Sequence, residues 1–129
     1  MKKTFKKEER LCSKRKIDSL FHSGSSFIVY PFRVVYLPNE DIKPENPVQV
    51  IISVSKRRFK RAHDRNRIKR LMREVYRMQK QELLYDQCMT SSVHLNLAIQ
   101  YVGKEIFDYE LLYSKMGKTL KQLSDAIIK

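Results

Sequence analysis

The chain has 129 residues, 42% of them hydrophobic, and sets 27 Lys and Arg against 14 Asp and Glu for a formal charge of +13. That length suits one domain with a modest core and not two, and seven Tyr and six Phe exclude a disordered basic tail. The cation excess points to a polyanionic partner: nucleic acid, an anionic membrane surface or an acidic protein.

Residues 1–10 are polar and cationic, with Phe5 the only aromatic, and read as an extended or mobile arm. From about Lys14 to His22, Ile17, Leu20 and Phe21 fall at helical spacing, and Ser23-Gly24-Ser25 ends the helix. Phe27 to Leu37 is rich in β-branched and aromatic residues and reads as a strand. Phe32, Val34 and Tyr36 share one of its faces, and Arg33, Val35 and Leu37 the other. Pro31 marks an edge or a bulge there, or divides the run into two short strands. Pro38 to Pro47 holds three prolines and no periodicity, and reads as a loop. Val48 to Ser55 alternates as a strand, a cationic loop follows, and a helix runs from about Asp64 to Leu84 with Asp64 as its N-cap. Val93 to Val102 alternates again, Gly103 ends it, and a last helix from about Asp108 carries Leu112, Met116, Leu120, Leu123 and Ile127 on one stripe. The order is α, β, β (or βββ), α, β, α: a single α+β sandwich over residues 1–129, with a three- or four-stranded sheet covered by helices.

Cys12 and Cys88 offer one possible disulfide and no metal-type spacing, and read as two free thiols. No apolar run approaches the ~18–20 residues of a membrane span, and the N-terminus lacks the apolar stretch of a secretory signal. These features place the protein in the cytoplasm. His22, His63 and His94 fall in different elements without acidic or cysteine partners at ligand spacing, and there is no phosphate-binding glycine loop or nucleophile motif. No protein active site is evident.

The charge is concentrated. Residues 56–80 hold twelve Lys and Arg against Asp64 and Glu74, and residues 1–16 carry most of the remaining excess. With Arg65 at 0° and about 100° per residue, Lys69, Arg73, Asn66, Arg77 and Arg70 fall between about 40° and 140°. Ile68, Leu71, Met72, Val75 and Met78 fall between about 220° and 340°, and Arg67 sits near the boundary. Like charges at i, i+4, as in Arg65, Lys69, Arg73 and Arg77, oppose the helix by about 0.2–0.5 kcal/mol per pair. A solvated face normally mixes signs, so this array favours a nucleic-acid partner over a bland exposed surface. Arg outnumbers Lys within it, which suits bidentate phosphate contacts and stacking on bases. Asn66 can bond phosphate or cap the first turn.

Ser53-Val54-Ser55-Lys56-Arg57 followed by Arg65-Asn66-Arg67-Ile68-Lys69-Arg70-Leu71-Met72-Arg73-Glu74 resembles the signature of the bacterial ribonuclease P protein subunit. The resemblance extends to Leu20-Phe21-His22-Ser23-Gly24, to element order and to length. It implies a mixed sheet with a left-handed βαβ crossover, against the usual rule. It also implies assistance to a catalytic RNA that uses magnesium, bound mainly by the RNA, to remove the 5′ leader from precursor tRNA. Arg65, Asn66, Arg67, Lys69, Arg70 and Arg73 would face that RNA, with Lys56 and Arg57 at the edge of the same surface. Ile17, Phe21 and Tyr36 would line a cleft for the single-stranded leader, Ile17 giving apolar contact where an aromatic residue is common. The protein would be monomeric, one per RNA. The loop Arg58-Phe59-Lys60-Arg61-Ala62-His63-Asp64 is slightly longer than the family's and lacks its glycine.

On their own residues, Phe21 and Tyr36 read equally well as core. A ribosomal or ribosome-assembly RNA-binding protein remains the alternative. A DNA reader fits less well, because a recognition helix needs mixed polar side chains for base edges.

Overall fold

The structure, a computed structural model, describes residues 5–39 and 46–128. Its elements are α1 (Lys14–Ser23), β1 (Ser25–Val29), β2 (Phe32–Pro38), β3 (Val48–Val54), α2 (Ala62–Lys80), α3 (Asp86–Thr90), β4 (Leu95–Tyr101) and α4 (Tyr109–Ile128). The strands form one sheet in the order β1-β2-β4-β3. β3 and β4 run parallel and the other pairs antiparallel, so the sheet is mixed and four-stranded. The loop expected over Pro38 to Pro47 lies largely outside the described residues.

Alternation assigns the two faces of the sheet. Phe32 and Val34 of β2, Val48, Val50 and Val54 of β3, and Leu95, Leu97, Ile99 and Tyr101 of β4 enter the larger core. There they meet Ile68, Met72, Val75 and Tyr76 of α2 and Leu112, Met116, Leu120 and Leu123 of α4. Both helical stripes were legible as 3.6-residue periods. The opposite face carries a smaller core, in which Leu20 of α1 and Leu11 pack on Val35 and Ala98, with Ile17, Leu37 and Ile51 at its margin.

Of four local features, the first settles an alternative the sequence left open and the other three differ from expectation. Pro31 divides the expected strand: a two-residue turn at Tyr30-Pro31, whose peptide bond is cis, joins β1 to β2 with Val29 opposite Phe32. Asp64 does not cap α2. The helix begins at Ala62 after an Arg61 that makes no side-chain cap bond, because the Arg65 guanidinium donates to the carbonyls of Phe59 and Lys60 (both 2.8 Å) and draws the loop onto the first turn. Asp64 still places a negative charge in that turn, where the helix dipole favours it. At its other end the helical path continues past Leu84, through a π-helical turn at Gln81–Tyr85 into α3, burying Leu84, Tyr85 and Cys88.

The fourth concerns the N-terminal arm, which is docked over 5–10; residues 1–4 lie outside the described residues. Arg10 pairs in parallel with Val50, and the Leu11 amide donates to the Val50 carbonyl (2.9 Å). Phe5 packs on Tyr76, ring centroids 5.8 Å apart. Glu9 is 3% exposed and is ion-paired with Lys80, itself 2% exposed. Glu9 also accepts from the Tyr85 hydroxyl (2.6 Å) and the Lys6 amide (2.7 Å), so its carboxylate is well satisfied. That network is why the arm settles.

Candidate nucleic-acid interface

The turn after β3 and the outer side of α2 form one continuous cationic surface. Lys56 and Arg57 are exposed in the turn, where the Ser55 hydroxyl accepts from the Arg57 amide (3.1 Å). On α2, Asn66, Arg67, Arg70 and Arg73 are exposed, while Arg65 and Lys69 are half-buried. Ile68, Met72, Val75 and Tyr76 on the reverse side are buried completely, which fixes the rotation of the helix and aims the array outward. All eight residues expected on this surface are on it. Arg65 has a second task, since one of its terminal nitrogens holds the loop as described above.

Two cations of the run are not available in the same way. The Arg77 guanidinium pairs with Glu74 at 2.5 Å across one helical turn. Lys80 lies near 60° on the helical wheel, inside the cationic arc at about 100° per residue, but the docked arm covers it. Its Nζ lies 4.9 Å from the Tyr85 ring centroid and 5.4 Å from that of Phe5. Burial pushes the ammonium below its ordinary range although Glu9 opposes this. Sequence reasoning missed the Glu9–Lys80 pair because the partners are 71 residues apart, and nothing local in either segment marks the contact.

The expected leader cleft is rearranged. Ile17 and Phe21 lie on α1, on the smaller-core side, with Phe21 43% exposed. Tyr36 alternates to the other face, where it packs edge-on against Phe27 (6.2 Å), so the three residues do not share a cleft. Cross-strand register instead puts Ile28, Arg33, Gln100 and Ser53 in one row on the α1 side. Arg33 donates to Gln100 Oε1 at 2.7 Å, which pins its guanidinium to the sheet surface, and Ile28 is 61% exposed. The Arg15–Lys16–Ser19 flank of α1 lines a groove with Leu37, Pro38, Asn39 and Asn96. The opposite flank, carrying Ile17 and Phe21, therefore faces the Arg33–Gln100 row. The signal was available: Arg33 is a lone cation within an apolar strand, on the face away from Tyr36.

The array reaches the outer edge of β3. Arg73 shares a pocket of about 180 Å³ there with Arg10, Leu11, Cys12 and Ile51. Cys12 is an exposed thiol, whereas Cys88 is buried and pushed up to about 12 by desolvation. Among the described residues no three His, Cys, Asp or Glu side chains are grouped to hold a metal ion, and no helix is long and apolar enough to cross a membrane.

A mixed sheet with a one-sided cationic helix on one face and, on the other, a short helix beside an arginine-bearing row defines a basic α+β domain. The family model for ribonuclease P matches residues 5–123. The chain is 36% identical over 118 residues to the ribonuclease P protein component of Porphyromonas gingivalis, covering 92% of this chain and 85% of that one. It is also 36% identical over 128 residues to the protein component from Chlorobium phaeobacteroides, covering 93% and 88%. This chain belongs to the ribonuclease P protein family, the protein component of a tRNA-processing enzyme with an RNA partner. The fold agrees with solved structures. The Staphylococcus aureus RNase P protein superposes with a TM-score of 0.70 at 20% identity, over 89% of this chain and 94% of that one. The Thermotoga maritima protein gives 0.69 at 23%, over 88% and 96%. Family membership sets aside the ribosomal-protein alternative.

Proposed function

We propose that this chain binds the catalytic RNA of ribonuclease P and the 5′ leader of precursor tRNA, assisting magnesium-dependent removal of the leader. The single observation that carries the reading is the cationic array on α2, held outward by a fully buried reverse side. Lys56, Arg57, Arg65, Asn66, Arg67, Lys69, Arg70 and Arg73 contact the RNA subunit's phosphates, offsetting repulsion between that RNA and its substrate. Magnesium is bound mainly by the RNA, whose phosphate oxygens suit a hard cation that keeps part of its water shell. The protein acts as one copy per RNA, in the cytoplasm.

The leader lies in a trough between α1 and the Ile28–Arg33–Gln100 row, on the α1 side of the sheet. Phe21 supplies an aromatic face and Ile17 and Ile28 apolar contact. Arg33 supplies a fixed charge, in the manner of single-strand binding by stacking beside a cationic track. Tyr36, on the opposite face, is assigned to packing.

The test adds the protein to catalytic RNA and precursor tRNA at low magnesium. Cleavage at the mature 5′ end should accelerate. Equal rates with and without protein across the magnesium series would reject the reading.

A further inference from the structure

The junction of α2 with α4 carries an aromatic surface that neither the cationic array nor the leader trough uses. Tyr109 and Tyr113 stand one turn apart on α4, 38% and 39% exposed, with ring centroids 5.9 Å apart. Their helix is held firmly by its other side, where Leu112, Met116 and Leu120 are fully buried. The Gln79 amide donates to the carbonyls of Val75 (3.1 Å) and Tyr113 (2.9 Å), clamping α4 to α2 beside these rings. A Cβ at Gly117 would lie 2.7 Å from Gln79 Oε1, so the clamp depends on a glycine.

Charge surrounds the rings. Tyr109 feels both members of the Arg77–Glu74 pair; on α2 that pair adjoins Arg70 and Arg73 of the array. Beyond Tyr113, a groove of about 460 Å³ opens between the helices, lined by Met78, Glu82, Lys118 and Lys121. A tyrosine pair with the charge-paired Arg77 on one side and Lys118 and Lys121 on the other has the makings of a single-strand platform: bases stack on rings while phosphates meet the lysines.

We propose that Tyr109 and Tyr113 stack unpaired bases of the RNA subunit, extending the interface from α2 across to α4. The proposal rests on the RNA partnership proposed above. The lysines of the adjoining groove and the cationic array on the neighbouring helix favour RNA over a protein partner.

The test measures binding of the full chain to the ribonuclease P RNA subunit over a salt series. Tyr109→Ala/Tyr113→Ala should weaken binding about a hundredfold, roughly tenfold for each lost base stack, with the slope of log K against log salt unchanged because no cation is removed. Tyr109→Phe/Tyr113→Phe should bind as the wild type does, since the ring face is kept. In parallel, RNA carrying 5-iodouridine should crosslink under light to Tyr109 or Tyr113 in the unaltered protein, a readout independent of variant folding. Wild-type affinity in the alanine variant overturns the platform, as does an equal loss in the phenylalanine variant or crosslinks confined to α1 and α2. A wild-type protein that fails to bind the RNA at all would instead reject the functional reading beneath it.

Discussion

Neutralising Arg70 separates surface charge from total charge. Arg70 is exposed in the middle of α2, whereas Lys80, counted in the same cationic run, is 2% exposed and paired with Glu9. Each phosphate contact contributes about 0.7–0.9 to the slope of log K against log salt, because one condensed counterion is released per contact. Arg70→Gln should therefore lower that slope by roughly one unit. Over a tenfold salt range one contact corresponds to about a five- to eightfold change in affinity, so variant and wild type should converge at high salt. Lys80→Met removes the same formal charge but no surface contact, and should leave the slope unchanged. The assay is filter binding or fluorescence titration with the catalytic RNA between 50 mM and 500 mM monovalent salt, a range of about one decade matched to that slope. Equal slopes for wild type and Arg70→Gln, or a reduced slope for Lys80→Met, would refute the division of the helix into a phosphate-facing side and a buried end.

Lys80→Ala should destabilise the fold by about 3 kcal/mol, at the low end for a broken buried pair, because Glu9 keeps its bonds to Tyr85 and Lys6. Urea unfolding measures this, and a loss below about 1 kcal/mol, the scale of an exposed pair, would contradict the burial. Cys88→Ala should flatten the alkaline loss of stability. From pH 9 to about 12 the unfolded thiol ionises while the folded one keeps its proton, so the folded state binds more protons and stability falls as pH rises. Tyr76 and Tyr85, both raised chiefly by burial, add a fall of the same sign above pH 10. Lys80, lowered from 10.5, acts in the opposite sense just below that pH. Parallel urea midpoints for wild type and Cys88→Ala from pH 8.5 to 11, a window spanning ordinary thiol ionisation, would show that the thiol is not protected. Gly24→Ala should cost about 1–3 kcal/mol through overpacking, since its Cβ would lie 2.4 Å from the Leu20 carbonyl oxygen and 2.9 Å from that of Tyr36. An unchanged melting temperature would show that α1 can shift to make room.

Periodicity carried most of the fold. The stripes Ile68–Met72–Val75 and Leu112–Met116–Leu120–Leu123 are physical consequences of burial on one side, the alternation in β3 and β4 marks the face turned to the larger core, and all are found where expected. The cationic array followed from the same wheel. Three features were hidden, one by a local side-chain bond that propensities do not encode and two by contacts distant in sequence. Asp64 looked like a cap because Arg65's grip on the loop carbonyls is not written in propensities. The arm looked mobile because Glu9 finds Lys80 only after the sheet and α2 are assembled. Tyr36 looked like a cleft residue although the sequence itself set Val35 and Leu37 on the opposite face; what was not legible was which face α1 would cover. Leu20 on Val35 and Ala98 answers that, and moves the trough to Arg33 and Gln100.

The docked arm has a consequence beyond holding Lys80. β3 is an outer strand of the sheet, and an open strand edge is a template on which other chains can pair and aggregate. Arg10 and Leu11 occupy part of that edge through their backbone contacts with Val50. The chain thus shields its longer outer strand with its own beginning, leaving the five-residue β1 as the other edge. An N-terminal tag or truncation that lifts residues 5–11 would bare β3, and the damage would show first as self-association at the concentrations used for purification.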